Sequence, residues 1–176
     1  GVIAESKNYA ALDFGESKPQ GSVYTIIEFI FKKSATEFYQ IIEPLDHGFD
    51  EIFVLSGTIL EHRRKHIINI LKRKENRKKK VLLITTQVVE AGVDIDMDLG
   101  FKNVSLVDSD EQLAGRINRN VNKQQCKLFL FKLDNPKVIY KNDYRFEVME
   151  NKQKFSAEDH FRILKEKDFD FLYKLV

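Results

Sequence analysis

VLLIT, Val81 to Thr85, is a short apolar run closed by a threonine, and it follows the most basic stretch of the chain. Apolar at four successive positions, it suits a strand buried on both faces, not one that alternates between core and water. Outward from it, four other runs read the same way: VYTIIEFIF (Val23–Phe31), EIFVLS (Glu51–Ser56), FKNVSLVD (Phe101–Asp108) and CKLFLFKL (Cys126–Leu133). Helical patterns lie between them. Ser34 is placed to cap a helix to about Ile42, with Ala35, Phe38, Tyr39 and Ile42 at helical spacing. LEHRRKHIINILKRK (Leu60–Lys74) turns Leu60, Ile67, Ile70 and Leu71 inward. Ser109 to Arg116 forms a short helix, and Ser109 with Gln112 has the spacing of a capping box. Strands alternating with helices predict an α/β fold: a mostly parallel sheet in three layers, with helices on both faces.

The expected organisation is an irregular lead-in over residues 1–22, the sheet domain over 23–133, and a helical extension over 134–176. Gly1 to Gly21 is polar and broken by Gly, Pro and Ser. The extension is more polar than the body and ends in a helix that Ser156 and Asp159 cap. Phe161, Leu164, Phe169, Leu172 and Leu175 are expected to dock it.

At 43% apolar and 32% charged residues, the chain can build a core. No run has the length of a membrane span and no secretory leader is visible, which predicts a protein with no membrane partner. The single cysteine, Cys126, excludes an internal disulfide and fits the cytoplasm. Net charge is only +2, but residues 61–80 hold ten Lys/Arg against two Glu, a local +8 against −6 elsewhere. Placed before VLLIT, that block is expected at the amino end of the strand as a solvated turn. Ligands of an open α/β sheet gather at the other, carboxyl end.

Two segments follow strands on the expected ligand rim: TQVVEAGVDIDMD (Thr86–Asp98) and SDEQLAGRINRN (Ser109–Asn120). They place Thr86, Gln87, Glu90, Gly92, Asp94, Gln112, Arg116 and Arg119 along one edge. In GRINR (Gly115–Arg119) the two arginines share a helical face, with no carboxylate evidently reserved for them. Guanidinium forks suit phosphate. Gly115 would let the backbone approach, and an acid such as Asp94 suits a ribose hydroxyl. Other signals fail. GESKPQGS is not a P-loop. DIDMDLG has its glycine one position late for a calcium loop, with Ser105 where the bidentate Glu belongs. His62 and His66 enclose Arg63, Arg64 and Lys65, which would repel a zinc ion. No metal site is expected.

TTQVVEAGVDIDMD followed by VDSDEQLAGRINRN resembles the last two helicase motifs of superfamily 2, and more closely the helicase portion of the CRISPR-associated helicase–nuclease of type I systems. LSGTILEHRRKHIINIL (Leu55–Leu71) resembles that family too. Asp110 and Glu111 stand where the family usually carries apolar residues. The resemblance covers about residues 23–133 and implies a second RecA-like domain. It implies that Arg116 and Arg119 are arginine fingers, that Gly92, Asp94, Gln112 and Gly115 bind nucleotide, that Thr86 and Gln87 touch single-stranded DNA, and that Glu90 couples the motifs. It further implies an ATP hydrolase that uses ATP and Mg2+ and works with a first RecA-like domain, a His-Asp nuclease and a CRISPR guide-RNA surveillance complex. The P-loop and acidic magnesium motif of the first domain are absent from this sequence, so the chain alone is expected to hold no cofactor and to be inactive. Two other readings stay open: another superfamily 2 translocase (an RNA helicase or restriction motor), or a non-enzymatic basic nucleic-acid-binding module.

Overall fold

The computed structural model describes residues 1–15, 19–57, 59–73, 77–87, 93–119, 124–151, 155–167 and 169–175. Five strands form one sheet: β1 (Val23–Glu28), β2 (Glu51–Leu55), β3 (Lys80–Thr85), β4 (Leu99–Asn103) and β5 (Lys127–Phe131). Their order is β2-β3-β1-β4-β5, and every pairing is parallel. Parallel neighbours need crossover connections, and helices supply them. These are α2 (Lys32–Ile42), α3 (Glu61–Lys72) and α4 (Val107–Ala114), with α1 (Val2–Ala11) ahead of the first strand.

The period-two alternation of strand side chains divides the core in two. Leu82 and Ile84 of β3 join Val23, Ile27, Leu99 and Phe101 on the face that α1 and α2 cover, where Tyr9, Ala10, Ala35 and Ile42 are buried. Val81 and Leu83 join Tyr24 and Ile26 on the other face, under Ile67 and Leu71 of α3 and Leu113 of α4. Each fully buried Leu or Ile of this kind contributes about 1.5–3 kcal/mol. The apolar reading of VLLIT is met at every position: Val81 to Thr85 are all buried.

Several expectations are corrected. The lead-in is not irregular, because Val2–Ala11 is helical and buries Ser6, Tyr9 and Ala10. Ser34 does not cap α2. The helix starts at Lys32, and the Ser34 hydroxyl donates to Asp134, whose carboxylate also accepts the Ile30 and Phe31 backbone N–H groups. The fourth strand lies earlier than FKNVSLVD, at Leu99–Asn103, and α4 begins at Val107. Leu60 is exposed and Ile70 half-buried, so Ile67 and Leu71 alone anchor α3 deeply. As an edge strand β2 is only half-buried up to Val54.

Beyond β5 come α5 (Lys137–Tyr140), α6 (Tyr144–Glu150), α7 (Ala157–Glu166) and α8 (Phe169–Leu175). The capping box at Ser156 and Asp159 is present as expected. Docking falls to Ile163 and Phe155, which bury against Val107 of α4 with Leu164 and Phe169 alongside. Phe161 is 70% exposed and does not dock. The side chains of Leu172 and Leu175 lie outside the described set.

Candidate functional site

The two motifs meet through backbone. Met97 and Ile117 form a parallel bridge, with Met97 N–H donating to Arg116 O (2.8 Å) and Asn118 N–H to Met97 O (2.8 Å). Asn118 adopts a left-handed conformation (φ 52°), which Asn tolerates better than most residues and which turns the chain between the arginines. The Ile117 side chain lies over Gly100 of β4, where a Cβ would come within 2.8 Å of it. A Cβ there would also meet the Leu128 side chain at 2.8 Å, so a larger residue would have to push both side-chain tips aside. Gly115 is different: its φ is −66° and an added Cβ would meet only ordinary contacts, so neither conformation nor packing demands it.

Side chains add to this junction. Arg119 Nε lies 3.0 Å from Asp94 Oδ1, and the Arg119 backbone N–H donates to Asp96 Oδ1 (2.9 Å). Lys72, at the end of α3, stands 3.9 Å from Asp94. Arg119 is therefore not without a carboxylate, contrary to expectation. Both groups are well exposed, Asp94 at 65% and Arg119 at 38%, so the pair contributes only about 0–1 kcal/mol and separates readily. Arg116 is half-buried. Its pKa is lowered, first by desolvation and next by the charge of Arg119, while Asp94 and Glu111 oppose the shift.

The site residues do not share one rim. Thr86 and Gln87 follow the carboxyl end of β3, and Thr86 N–H donates to Leu55 O at the end of β2. Asp94, Asp96 and Asp98 belong to the segment returning to the start of β4. Asp98 N–H donates to Tyr24 O and its carboxylate accepts Tyr24 N–H (2.6 Å), at the amino end of β1. GRINR likewise follows the last turn of α4, beside Met97. The physical reason is the crossover: a connection between parallel strands must carry the chain from one sheet edge to the other. Its late residues lie a strand length, roughly 17–20 Å, from its early ones.

The same geometry corrects the basic block. Lys80 opens β3 as expected, but Arg77 is no solvated residue. It stands 3.2 Å from Asp96 and 3.6 Å from Asp98, hydrogen-bonds the Asp96 carbonyl, and stacks over Tyr24 at 4.3 Å. Arg77, with Lys72, therefore borders the arginine junction instead of lying opposite it.

Of the other sequence candidates, Gln112 is exposed, and its capping partner Ser109 is engaged by Ser105 at 3.0 Å, so no capping box forms on α4. Thr86 is buried, and the Gln87 amide donates to Tyr140 of α5. Glu90 and Gly92 lie outside the described residues. Cys126 is half-buried with its Sγ 3.3 Å from the Tyr9 hydroxyl. One feature escaped the sequence reading entirely. Lys102 and Glu28 form an ion pair, each 1% exposed, with Asp110 Oδ1 3.9 Å from Lys102 Nζ and Asp110 itself 0% exposed. Asp110 departs from an apolar pattern because a lysine of β4 is buried beneath it.

Residues 25–122, more than half of the chain, match the family described as CRISPR-associated nuclease/helicase Cas3, C-terminal. The chain belongs to this family. The Cas3 nuclease/helicase of Methanothermobacter thermautotrophicus is 36% identical over 70 residues, which is 40% of this chain and 8% of that protein. Among solved structures, T. fusca Cas3 with ADP superposes with a TM-score of 0.59 at 19% identity, over 89% of this chain and 21% of that one. A CRISPR RNA-guided surveillance complex before nicking contains a chain that superposes at 0.57 and 20% identity, over 86% of this chain and 21% of that one. These superpositions establish the RecA-like fold. This Cas3-like chain spans a small fraction of each relative's length, so the junction described above is one part of a larger Cas3 architecture in them.

Proposed function

We propose that the chain is the second motor domain of an ATP-dependent helicase that translocates on single-stranded DNA in CRISPR antiviral defence. The observation that carries this reading is the Met97–Ile117 bridge between the two motifs, which gathers half-buried Arg116 and the exposed Arg119–Asp94 pair at one junction. Family membership favours this over another superfamily 2 translocase or a basic binding module. Fit to a triphosphate rests on the donor set: two forks that suit phosphate oxygens, and an exposed carboxylate that suits a ribose hydroxyl. ATP bound with Mg2+ in the whole enzyme would supply the transferable phosphoryl group. Arg116 and Arg119 hold positive charge where negative charge develops. Asp94 orients Arg119 and, on releasing it, is free to accept from a ribose, with Gln112, Gly92 and Gly115 assigned to nucleotide binding by the family motifs alone. Thr86 and Gln87 stand at the other sheet edge as the DNA-facing set. Gln87 exchanges Tyr140 for a strand to do so, and Glu90 lies between the two groups in sequence.

The partners of this reading are a first RecA-like domain, a His-Asp nuclease, single-stranded DNA and the guide-RNA surveillance complex, working in the cytoplasm. Purified alone, the chain is expected to hydrolyse no ATP above background, with or without single-stranded DNA. A phosphate-release assay checks this, and steady turnover from the pure chain would refute the half-motor reading.

A further inference from the structure

We infer that the C-terminal extension is a positioning strap for α4, the helix that delivers the arginines; this rests on the function just proposed. Helix α4 has eight residues, too few to hold itself together in water. It carries three acids, Asp108, Asp110 and Glu111, and each meets a different residue of the extension. Arg145 of α6 pairs with Asp108. His160 Nε2 of α7 lies 3.0 Å from Asp110 Oδ2, a buried close approach without hydrogen-bond geometry. Lys167, just past α7, pairs with Glu111. Beneath them Val107 is fully buried with Phe155 and Ile163.

The strap is also fastened where it leaves the sheet. Asn103, the last residue of β4, accepts the Leu133 and Asp134 backbone N–H groups at 2.9 and 2.8 Å. Tyr140 accepts from Gln87 at the proposed DNA edge. The extension therefore touches Gln87 directly and reaches the arginine motif only through α4. Contacts at the surface are individually weak. Two of them, from Arg145 and Lys167, flank the buried approach of His160 to Asp110, and together they define where along its axis α4 sits; GRINR begins at the residue after its end. A displacement of about 1 Å at a catalytic group can cost on the order of 10²-fold in rate.

His160 is thus a positioning residue and not a catalytic one. Its test uses the full-length helicase. For His160→Ala we expect faster hydrogen exchange at the backbone amides of 110–116, with β1 and β3 unchanged. We expect kcat for ATP lower by roughly 10- to 100-fold, and KM within about twofold because the phosphates are held mainly by the other domain. Lys167→Glu and Glu111→Lys should each lower kcat, and the double variant should recover it, which loss of folding alone cannot produce. Intact kcat in His160→Ala, alongside a collapse in Arg119→Ala, overturns the strap alone. Intact kcat in Arg119→Ala overturns the arginine reading and the strap's catalytic role together.

Discussion

Arg119→Ala in the full-length helicase lowers kcat for ATP hydrolysis by roughly 10³-fold or more, the size of effect that an arginine finger carries. Arg116→Ala does the same. KM for ATP moves little, since charge offered only to the transition state does not hold the ground state. Stability moves little as well for Arg119→Ala. The lost pair with Asp94 is exposed, and Lys72 remains beside that carboxylate. The check is steady-state kinetics beside thermal melting of the same preparation. A raised KM with kcat intact would mark these arginines as ground-state binders. A large drop in melting temperature would mark Arg119 as a structural clamp between the two motifs.

The second large effect is on folding. Lys102→Met destabilises the domain by about 3–5 kcal/mol, because it leaves the buried carboxylates of Glu28 and Asp110 without their cation. For a domain of this size that is a fall of roughly 10 °C in melting temperature. Glu28→Gln added to Lys102→Met recovers part of the loss, since a buried neutral pair costs less than a buried orphaned charge. A Lys102→Met protein that melts within two or three degrees of the parent would show that water reaches this pair and that it does not anchor the sheet to α4.

The strands β1 and β3 were legible because they are buried on both faces, where an apolar run has no competing reading. Strand β4 was not. Its sequence, LGFKN, contains a glycine packed under Ile117 and Leu128 and a lysine whose partners come from β1 and α4, so the apolar VSLVD beside it drew the assignment downstream. Helix α1 gave no signal because it buries Ser6 and Ala10 beside a single aromatic, Tyr9. Both motifs could be read as segments. Their placement could not, because a sequence shows which residues follow a strand but not how far a crossover has carried the chain back. Asp110 and Glu111 looked like misfits because the residues they meet are remote in sequence or on another element: Lys102 of β4 and His160 of α7 for Asp110, and Lys167, 56 residues on, for Glu111.

The strand order β2-β3-β1-β4-β5 has a consequence for how the domain comes into being. The two strands made first, β1 and β2, are not neighbours, and both pair with β3. A nascent chain that has emerged only as far as residue 72 has two strands and three helices but no sheet. With Lys80–Thr85, a single stretch closes the gap between two segments that have waited for it. Such non-local pairing makes assembly slow and leaves apolar strands uncovered in the meantime. The basic residues crowded just ahead of β3 leave the ribosome immediately before the keystone does. They keep the most apolar strand of the protein flanked by charge during the interval in which it has nothing to pair with.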